Sequence, residues 1–355
     1  MIAFLSKLLN KRRWRIIRFY IVGWSLAFVF LAIVRGVGTE EQGQLKFDFK
    51  SSMIIGLTMG PILGVISGIA SIWAEKNIYR KLSIGRLLLL RTMYTFLFII
   101  AMTFVAYGVY QFYFGTEISL LTFAFDAGSG AIYFYIWITD SFLTILRQVN
   151  LMLGEGNLLK LIRGKFYTPR EEARIFMFLD LQSSTELAER LGHVNYSMLV
   201  QDCFNDLGIV VENDAEIYQY VGDEAVLTWK LKEGLQNENC LKAYYNFTQL
   251  LLKKHEHYQK KYACTPFFKA GLHAGTVTVT EVGKYKKEIA YHGDTINTAA
   301  RIQGQCNSLK SELLISESLK NQLSSSNFMY NPMGSIPLKG KKDNVAVCAV
   351  SQLTE

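Results

Sequence analysis

In this 355-residue chain, Asp180, Asp223, Asn297 and Arg301 have the types and spacing to do chemistry together. Asp180 follows an apolar run, residues 173–179 (ARIFMFL), that reads as a buried strand. Asp223 sits in Gly222-Asp223-Glu224, between AEIYQYV (215–221) and AVLTW (225–229), a hairpin signal. If these strands are neighbours, the two carboxylates converge at one sheet edge, where ligands bind. Converging carboxylates repel, and one pKa must rise unless a cation neutralises them. Two Mg²⁺ or Mn²⁺ ions would do so, and such a pair activates an attacking oxygen and clamps a phosphoryl group. The loop Leu181-Gln182-Ser183-Ser184 presents helix-start N–H groups that suit a triphosphate. Asn297 and Arg301 lie four apart on a helix pattern, hence on one face. Asn can hydrogen-bond a ribose, and Arg can stabilise charge building on a phosphate. Each residue alone also has an ordinary reading: a cap, a common turn, a solvated helix face.

The elements that must position them follow from periodicity. Ser183 and Glu186 have capping-box spacing, and Leu187, Leu191, Val194 and Met198 recur as a helix stripe. Cys240, Tyr244, Phe247 and Leu251 line one face of a later helix. Strands are expected near 267–273 and 275–282 and around Glu288–Tyr291, then a helix opening at Gly293-Asp294. A helix near 316–323 and a strand pair near 335–339 and 344–350 close the chain. The order β-α-β-β-α-β predicts an α+β, ferredoxin-like core with additions. His273 and His292 read as structural residues in or beside strands.

The first half differs in kind. Residues 1–167 carry 18 Lys+Arg and 8 Asp+Glu, a net of +10; the remaining 20 basic and 22 acidic residues give −2. The whole-chain charge of +8 is therefore no nucleic-acid footprint, and no basic patch with interleaved aromatics appears. Residues 51–73 and 92–114 are uncharged runs of membrane-spanning length, and the uncharged run 19–34 becomes one because Arg18 can snorkel and the span can begin near Ile16. A fourth run, 118–146, is broken at Asp126-Ala127-Gly128-Ser129-Gly130 and holds Asp140. Both acids are read as lying near helix ends; a carboxylate deep in the bilayer would be a functional candidate. Basic residues flank alternate loops: 1–15, 74–91 (with Arg91 counted as a flank charge) and the segment after the fourth run. This predicts four spans in the cell (inner) membrane, with both termini and the second half cytoplasmic. Five cysteines without a CxxC pair fit a reducing compartment. The expected division is a four-helix membrane domain (1–146), a transducing linker (147–172) and an α+β domain (173–355).

FMFLDLQSST, YQYVGDEAVLTW and YHGDTINTAARIQ, in that order, resemble the catalytic domain of class III nucleotidyl cyclases over roughly residues 170–350. The resemblance implies a homodimer that makes a 3′,5′-cyclic nucleotide and pyrophosphate from a nucleoside triphosphate. It implies that Asp180 and Asp223 bind both metals with the Leu181 carbonyl assisting. Asn297 would orient the ribose and Arg301 would stabilise the transition state, both from the opposite protomer. Lys339 in IPLKGKK matches a position that holds the terminal phosphates. The base-reading positions depart from the family: Gln219 stands where adenylate cyclases often place Lys, and Ala290 where they place Asp or Thr. Guanylate cyclases usually have Glu and Cys there. ATP is expected on family frequency, with GTP or a pyrimidine triphosphate as alternatives. A catalytically silent nucleotide-binding receptor and a transporter with a regulatory tail are the competing readings from other classes.

Overall fold

The computed structural model describes residues 11–36, 49–77, 83–115, 118–324, 327–337 and 344–353. The chain forms two compact units, Met1–Leu151 and Met152–Glu355.

The first unit is helical. Its long helices are α1 (Lys11–Gly36), α2 (Phe49–Asn77), α3 (Ile84–Phe114) and α5 (Ala127–Met152), with a short α4 (Leu120–Ala124) before the last. Each of the four is long and apolar enough to cross a membrane. The fourth span is one continuous helix, and residues 118–125 are not part of it. Asp126 lies just ahead of that helix and accepts from the Gly128 N–H at 3.2 Å, the helix-end position the sequence implied. The α1–α2 contact rests on a repeat the hydropathy reading passed over. Gly56, Gly60, Gly64 and Gly68 recur every fourth residue of α2 and face Phe28, Ser25, Ile21 and Ile17 of α1. A side chain at Gly60 would fall 2.7 Å from the Ser25 Cα, and Gly64 and Gly68 are similarly close to the α1 backbone, so these three positions admit only glycine at this separation.

Asp140 and Arg91 are corrections. Asp140 is 3% exposed inside the bundle, not at a helix end. Arg91 is also buried, two turns into α3, and is no flank charge. Arg91 donates to Asp140 through Nε at 2.9 Å and Nη2 at 3.1 Å. Thr95 and Ser67 add hydroxyl donors to the same carboxylate at 3.3 and 3.4 Å. Trp24 donates to Ser67 at 3.1 Å, bringing in α1. A second pairing joins Arg147 to Glu75 at 2.7 Å and Arg12 to Glu75 at 3.0 Å.

The second unit begins with a short helix, α6 (Asn157–Ile162), and is built on one sheet. Strand β1 (Arg170–Leu181) is followed by α7 (Ser184–Leu207), β2 (Glu216–Val221), β3 (Glu224–Lys230) and a short α8 (Leu231–Leu235). Then come α9 (Asn239–Lys253), α10 (His255–Tyr262), β4 (Phe268–Val282), β5 (Glu288–His292) and α11 (Asp294–Gly304). Strand β6 (Leu313–Ser316), α12 (Glu317–Lys320), β7 (Phe328–Ile336) and β8 (Val345–Gln352) complete it. The order β2-β3-β1-β4 is the antiparallel ferredoxin-like core, and β6-β8-β7 extends it past β4. One sheet face is covered by α7 and α9, whose Leu199, Cys203, Tyr244 and Phe247 join Met177, Leu227 and Leu272 in the main core. The other face carries α11 over Phe176, Val226 and Val277.

Local differences from the sequence reading have physical causes. Strand β4 is continuous where a break was expected, because Ala274 and Gly275 stay paired with Ile175 and Arg174. Ser183 does not form the expected capping box: its φ of 56° is left-handed and its side chain caps nothing. The stripe through Val194 and Met198 also fails. Gly192 (φ 73°) kinks α7, turning Val194 out to 75% exposure and Leu199 and Cys203 inward. Strand β6 was missed and β7 begins earlier, at Phe328. Four of the five cysteines are buried and all are free thiols.

Candidate active site

The carboxylates meet because of strand register. Asp180 is the penultimate residue of β1 and lies directly opposite Glu224, the first residue of β3. Asp223 fills the two-residue turn with Gly222, whose φ of 63° supplies the left-handed backbone that the tight turn needs. Asp180, Asp223 and Glu224 therefore share one end of the sheet. Burial and then the charge of Asp223 push the Asp180 carboxyl above its usual range; bonds from Gln303 and the Leu181 N–H oppose this. Burial, Asp180 and Asp223 together push Glu224 up to about 7. Tyr196 of α7 reaches Asp223 and Ser184 with its hydroxyl, and burial followed by the Asp223 charge raises its pKa.

Among the described residues, no group of three or more His, Cys, Asp or Glu side chains forms a closed metal cage. What exists is an open, all-oxygen donor set: two repelling carboxylates with the Leu181 carbonyl between strand and loop. That set fits Mg²⁺ or Mn²⁺ in chemistry and leaves coordination positions for a phosphate. The left-handed Ser183 turns the chain straight from β1 into α7. Leu187 is the first residue whose N–H bonds back into the helix, to the Ser183 carbonyl at 2.9 Å. The N–H groups of Ser184, Thr185 and Glu186 precede it, next to Gln182 and Ser183, which are exposed.

Helix α11 carries Asn297 and Arg301 as the sequence implied. It packs close on β4, where Gly271 lets the Gln303 backbone approach. Its buried face is Thr295, Thr298, Ala299 and Ile302; Asn297 is exposed and Arg301 half-buried. Gln303, which sequence reasoning missed, bonds Asp180 of its own chain. Arg301 lies two residues away, about 200° around the helix. It therefore points away from the carboxylates that Gln303 reaches.

A bulge in β2 sets Tyr218 and Gln219 together opposite Val226, on the α11 face. The Tyr218 ring meets Tyr291, next to Ala290, at 5.0 Å edge-on. Gln219 is exposed and Ala290 half-buried on β5. Lys339 lies outside the described residues. His273 bonds Ser316 at 2.8 Å and His292 sits in the β4–β5 ladder, both in structural settings.

A ferredoxin-like core with two acids at one sheet end is the arrangement that the strand pattern of the sequence implied. Residues 166–350 match the family described as adenylate and guanylate cyclase catalytic domain, and the chain belongs to it. Adenylate cyclase 2 of Rhizobium meliloti (strain 1021) is 32% identical over 219 residues, covering 61% of this chain and 60% of that protein. The chain thus spans about 60% of the length of the curated relative it matches. A bacterial light-regulated adenylyl cyclase shares the fold with TM-score 0.51 and 18% identity, over 60% of this chain and 64% of that one. The adenylyl cyclase CyaB from P. aeruginosa aligns with TM-score 0.46 and 18% identity, over 53% of this chain and 97% of that one.

Proposed function

We propose that the chain is a membrane-held homodimeric nucleotidyl cyclase, converting a nucleoside triphosphate, ATP first, to its 3′,5′-cyclic nucleotide and pyrophosphate. The observation that carries the reading is the meeting of Asp180 and Asp223 at one sheet end, where the charge of Asp223 adds to burial in raising the Asp180 pKa. Asp180, Asp223 and the Leu181 carbonyl hold two Mg²⁺ or Mn²⁺ ions. When bound, these ions lower the pKa of the ribose 3′-hydroxyl and offset charge on the α-phosphate. The loop of Gln182, Ser183 and Ser184 cradles phosphate, through the N–H groups of Ser183 and Ser184 while the Gln182 N–H is held by the Phe267 carbonyl, and Lys339 neutralises the terminal phosphates. Asn297 and Arg301 act from a second protomer, as the resemblance to the cyclase family implies; that Gln303, about 200° around α11 from Arg301, is the residue reaching Asp180 supports this. Asn297 fixes the ribose, and Arg301 stabilises the charge that builds as the 3′-oxygen bonds to the α-phosphorus and pyrophosphate leaves with the bonding pair.

Gln219 offers a donor and an acceptor to the base, and Ala290 offers neither. The adenylate cyclase relative supports ATP. Residues 147–172, with α6 at their centre, serve as the transducing linker between membrane domain and catalytic domain. The basic flanks support a cytoplasmic N-terminal flank and catalytic unit. The test is cyclic-product formation by the full chain in membranes with Mn²⁺, offered ATP, GTP, CTP and UTP in turn. Product from ATP that disappears in Asp180→Ala supports the reading. Product that survives this change sinks the metal assignment, and no product from any triphosphate sinks the activity. Mixing inactive Asp180→Ala with inactive Arg301→Ala chains should restore turnover, because one of the two sites in such a dimer is intact.

A further inference from the structure

The hairpin that joins β4 to β5 ends in Gly283-Lys284-Tyr285-Lys286-Lys287, and every residue of this tip is exposed. Val282 pairs with Glu288 at its base, so the tip is held on a regular ladder. Gly283 sets its shape: its φ is 91°, and a side chain there would collide with the Lys286 carbonyl. Tyr285 is 95% exposed, and the Lys284 ammonium lies over its ring at 5.5 Å. Lys286 pairs with Glu288 at 2.5 Å and Lys287 with Glu281 at 2.6 Å, both at the surface. Ion pairs in open solvent hold their partners weakly, so these ammonium groups remain available to another anion.

The linker decides which surface the tip can meet. The Glu281 N–H donates to the Phe166 carbonyl at 2.9 Å, so the end of the linker and the base of the hairpin are joined. Phe166 is buried, and Tyr167 beside it is 84% exposed. Arg163 and Lys165 precede it, and the Ile162 side chain is exposed. The last membrane-length helix ends at Met152. From there to Phe166 the chain could span at most about 50 Å if extended. It is shortened by α6 and by turns that bond Lys165 N–H to Lys160 O at 2.9 Å and Tyr167 N–H to Gly164 O at 3.2 Å. The base of the hairpin is therefore tethered close to the end of the last long helix. A tyrosine ring set among lysines is the composition of a membrane-interface anchor, with the ring at headgroup level and the charges on acidic lipid.

We propose that the β4–β5 tip docks on the anionic phospholipid surface of the bilayer that the long helices cross, with Tyr285 at headgroup depth and Lys284, Lys286 and Lys287 on acidic headgroups. The interaction goes beyond the cyclase reading. It rests on the reading of the four long helices as membrane spans, and its test separates the two.

The full chain is placed in nanodiscs of phosphatidylcholine alone or mixed equally with phosphatidylglycerol. Exposed lysines are methylated with formaldehyde and dimethylamine-borane, neutral reagents that an anionic surface does not repel, and the sites are mapped by mass spectrometry. Phosphatidylglycerol should slow methylation of Lys284, Lys286 and Lys287 about fivefold or more. Lys253 and Lys260, exposed on α9 and α10 at the end of the sheet where β4 begins, should be unaffected. High salt should restore the rate at the tip. Tyr285→Ser should weaken the protection about twofold, and Lys286→Gln with Lys287→Gln should remove most of it at Lys284. Equal rates at the tip in both kinds of disc would overturn the proposal, and so would equal slowing at Lys253 and Lys260. A tip already protected in phosphatidylcholine alone, whatever the salt, would assign it to a protein surface and also overturn the proposal. A chain that does not enter discs would remove the spans and the docking with them, a failure distinct from entry without headgroup dependence.

Discussion

Asp140 and Asp180 are the same chemical group in opposite company. Asp140 is enclosed by a bidentate guanidinium and two hydroxyl donors, all from the membrane unit. Asp180 stands beside a second carboxylate, and the side-chain donor it has among the described residues, Gln303, is neutral. The first arrangement is electrically complete and holds helices α2, α3 and α5 to one another. The second is incomplete and asks for cations from outside. Arg174 near the middle of β1 shows that the catalytic unit can complete a charge where structure requires it. Arg174 is 1% exposed, bonds Glu172 at 2.9 Å and Glu216 at 3.0 Å, and lies over the Tyr291 ring at 4.8 Å. Burial works against its charge, but Glu216, Tyr291 and Glu172 outweigh burial and raise its pKa. One strand therefore carries a satisfied charge near its middle and an unsatisfied one at its end. The unsatisfied end is where binding free energy is available.

The largest effect expected is on turnover. Asp180→Ala should lower cyclic-nucleotide formation by about 10³-fold or more, roughly 4 kcal/mol at the transition state. Its thermal midpoint without divalent cation should not fall, because the change removes repulsion with Asp223. A clear loss of stability would show that Asp180 belongs with Asp140 as a structural acid.

Asp140→Leu should do the reverse. Removing one partner leaves Arg91 charged and buried, a loss of about 3–5 kcal/mol, whereas the double variant Arg91→Met with Asp140→Leu should be near neutral. Unfolding of the full chain in detergent measures both. A double variant as unstable as the single one would mean that the pair does more than satisfy itself.

Next in size is the glycine repeat. Gly64→Leu places a side chain against the Ile21 backbone and should cost about 1–3 kcal/mol by forcing α1 and α2 apart. Unfolding of the full chain in detergent measures the loss. An unchanged midpoint in Gly64→Leu would count against the glycine contact.

These contrasts explain what the sequence could and could not show. Asp180 and Asp223 were legible because each ends or joins a strand with a strong apolar pattern. The α11 face of Asn297 and Arg301 was legible from four-residue spacing. The Arg91–Asp140 pair was not, because hydropathy counts charge along the chain and carries no information about which spans face each other. The glycines at 56, 60, 64 and 68 were legible as a repeat, but a window average sees only their mild apolarity. Gln303 escaped because an amide has no signature until a neighbouring helix brings it to Asp180. The failed Ser183 cap and the Val194–Met198 stripe share one cause: backbone turns at Ser183 and Gly192 override local pattern. Strand β4 appeared as two because glycine usually interrupts a strand, and here it makes room for the Thr295 side chain instead.

The smallest effect expected is a pH dependence that separates the two acid settings. Glu224 is raised from 4.5 to about 7, and Asp180 is raised as well. A carboxyl whose folded pKa exceeds its unfolded pKa binds more protons folded than unfolded in that window. Stability without divalent cation should therefore be greatest at low pH and fall as pH rises from 4.5 to about 7, then level off. For a half-exposed carboxylate screened by water, the fall should be about 1 kcal/mol. Thermal midpoints of the full chain in detergent with chelator, read from pH 5 to pH 8, measure it. Glu224→Gln should flatten the curve, and Mn²⁺ should flatten it in the unsubstituted chain by supplying the missing charge. A midpoint that rises through this window, or a slope that the glutamine variant keeps, would remove Glu224 from the unsatisfied cluster and leave Asp180 and Asp223 as its only members.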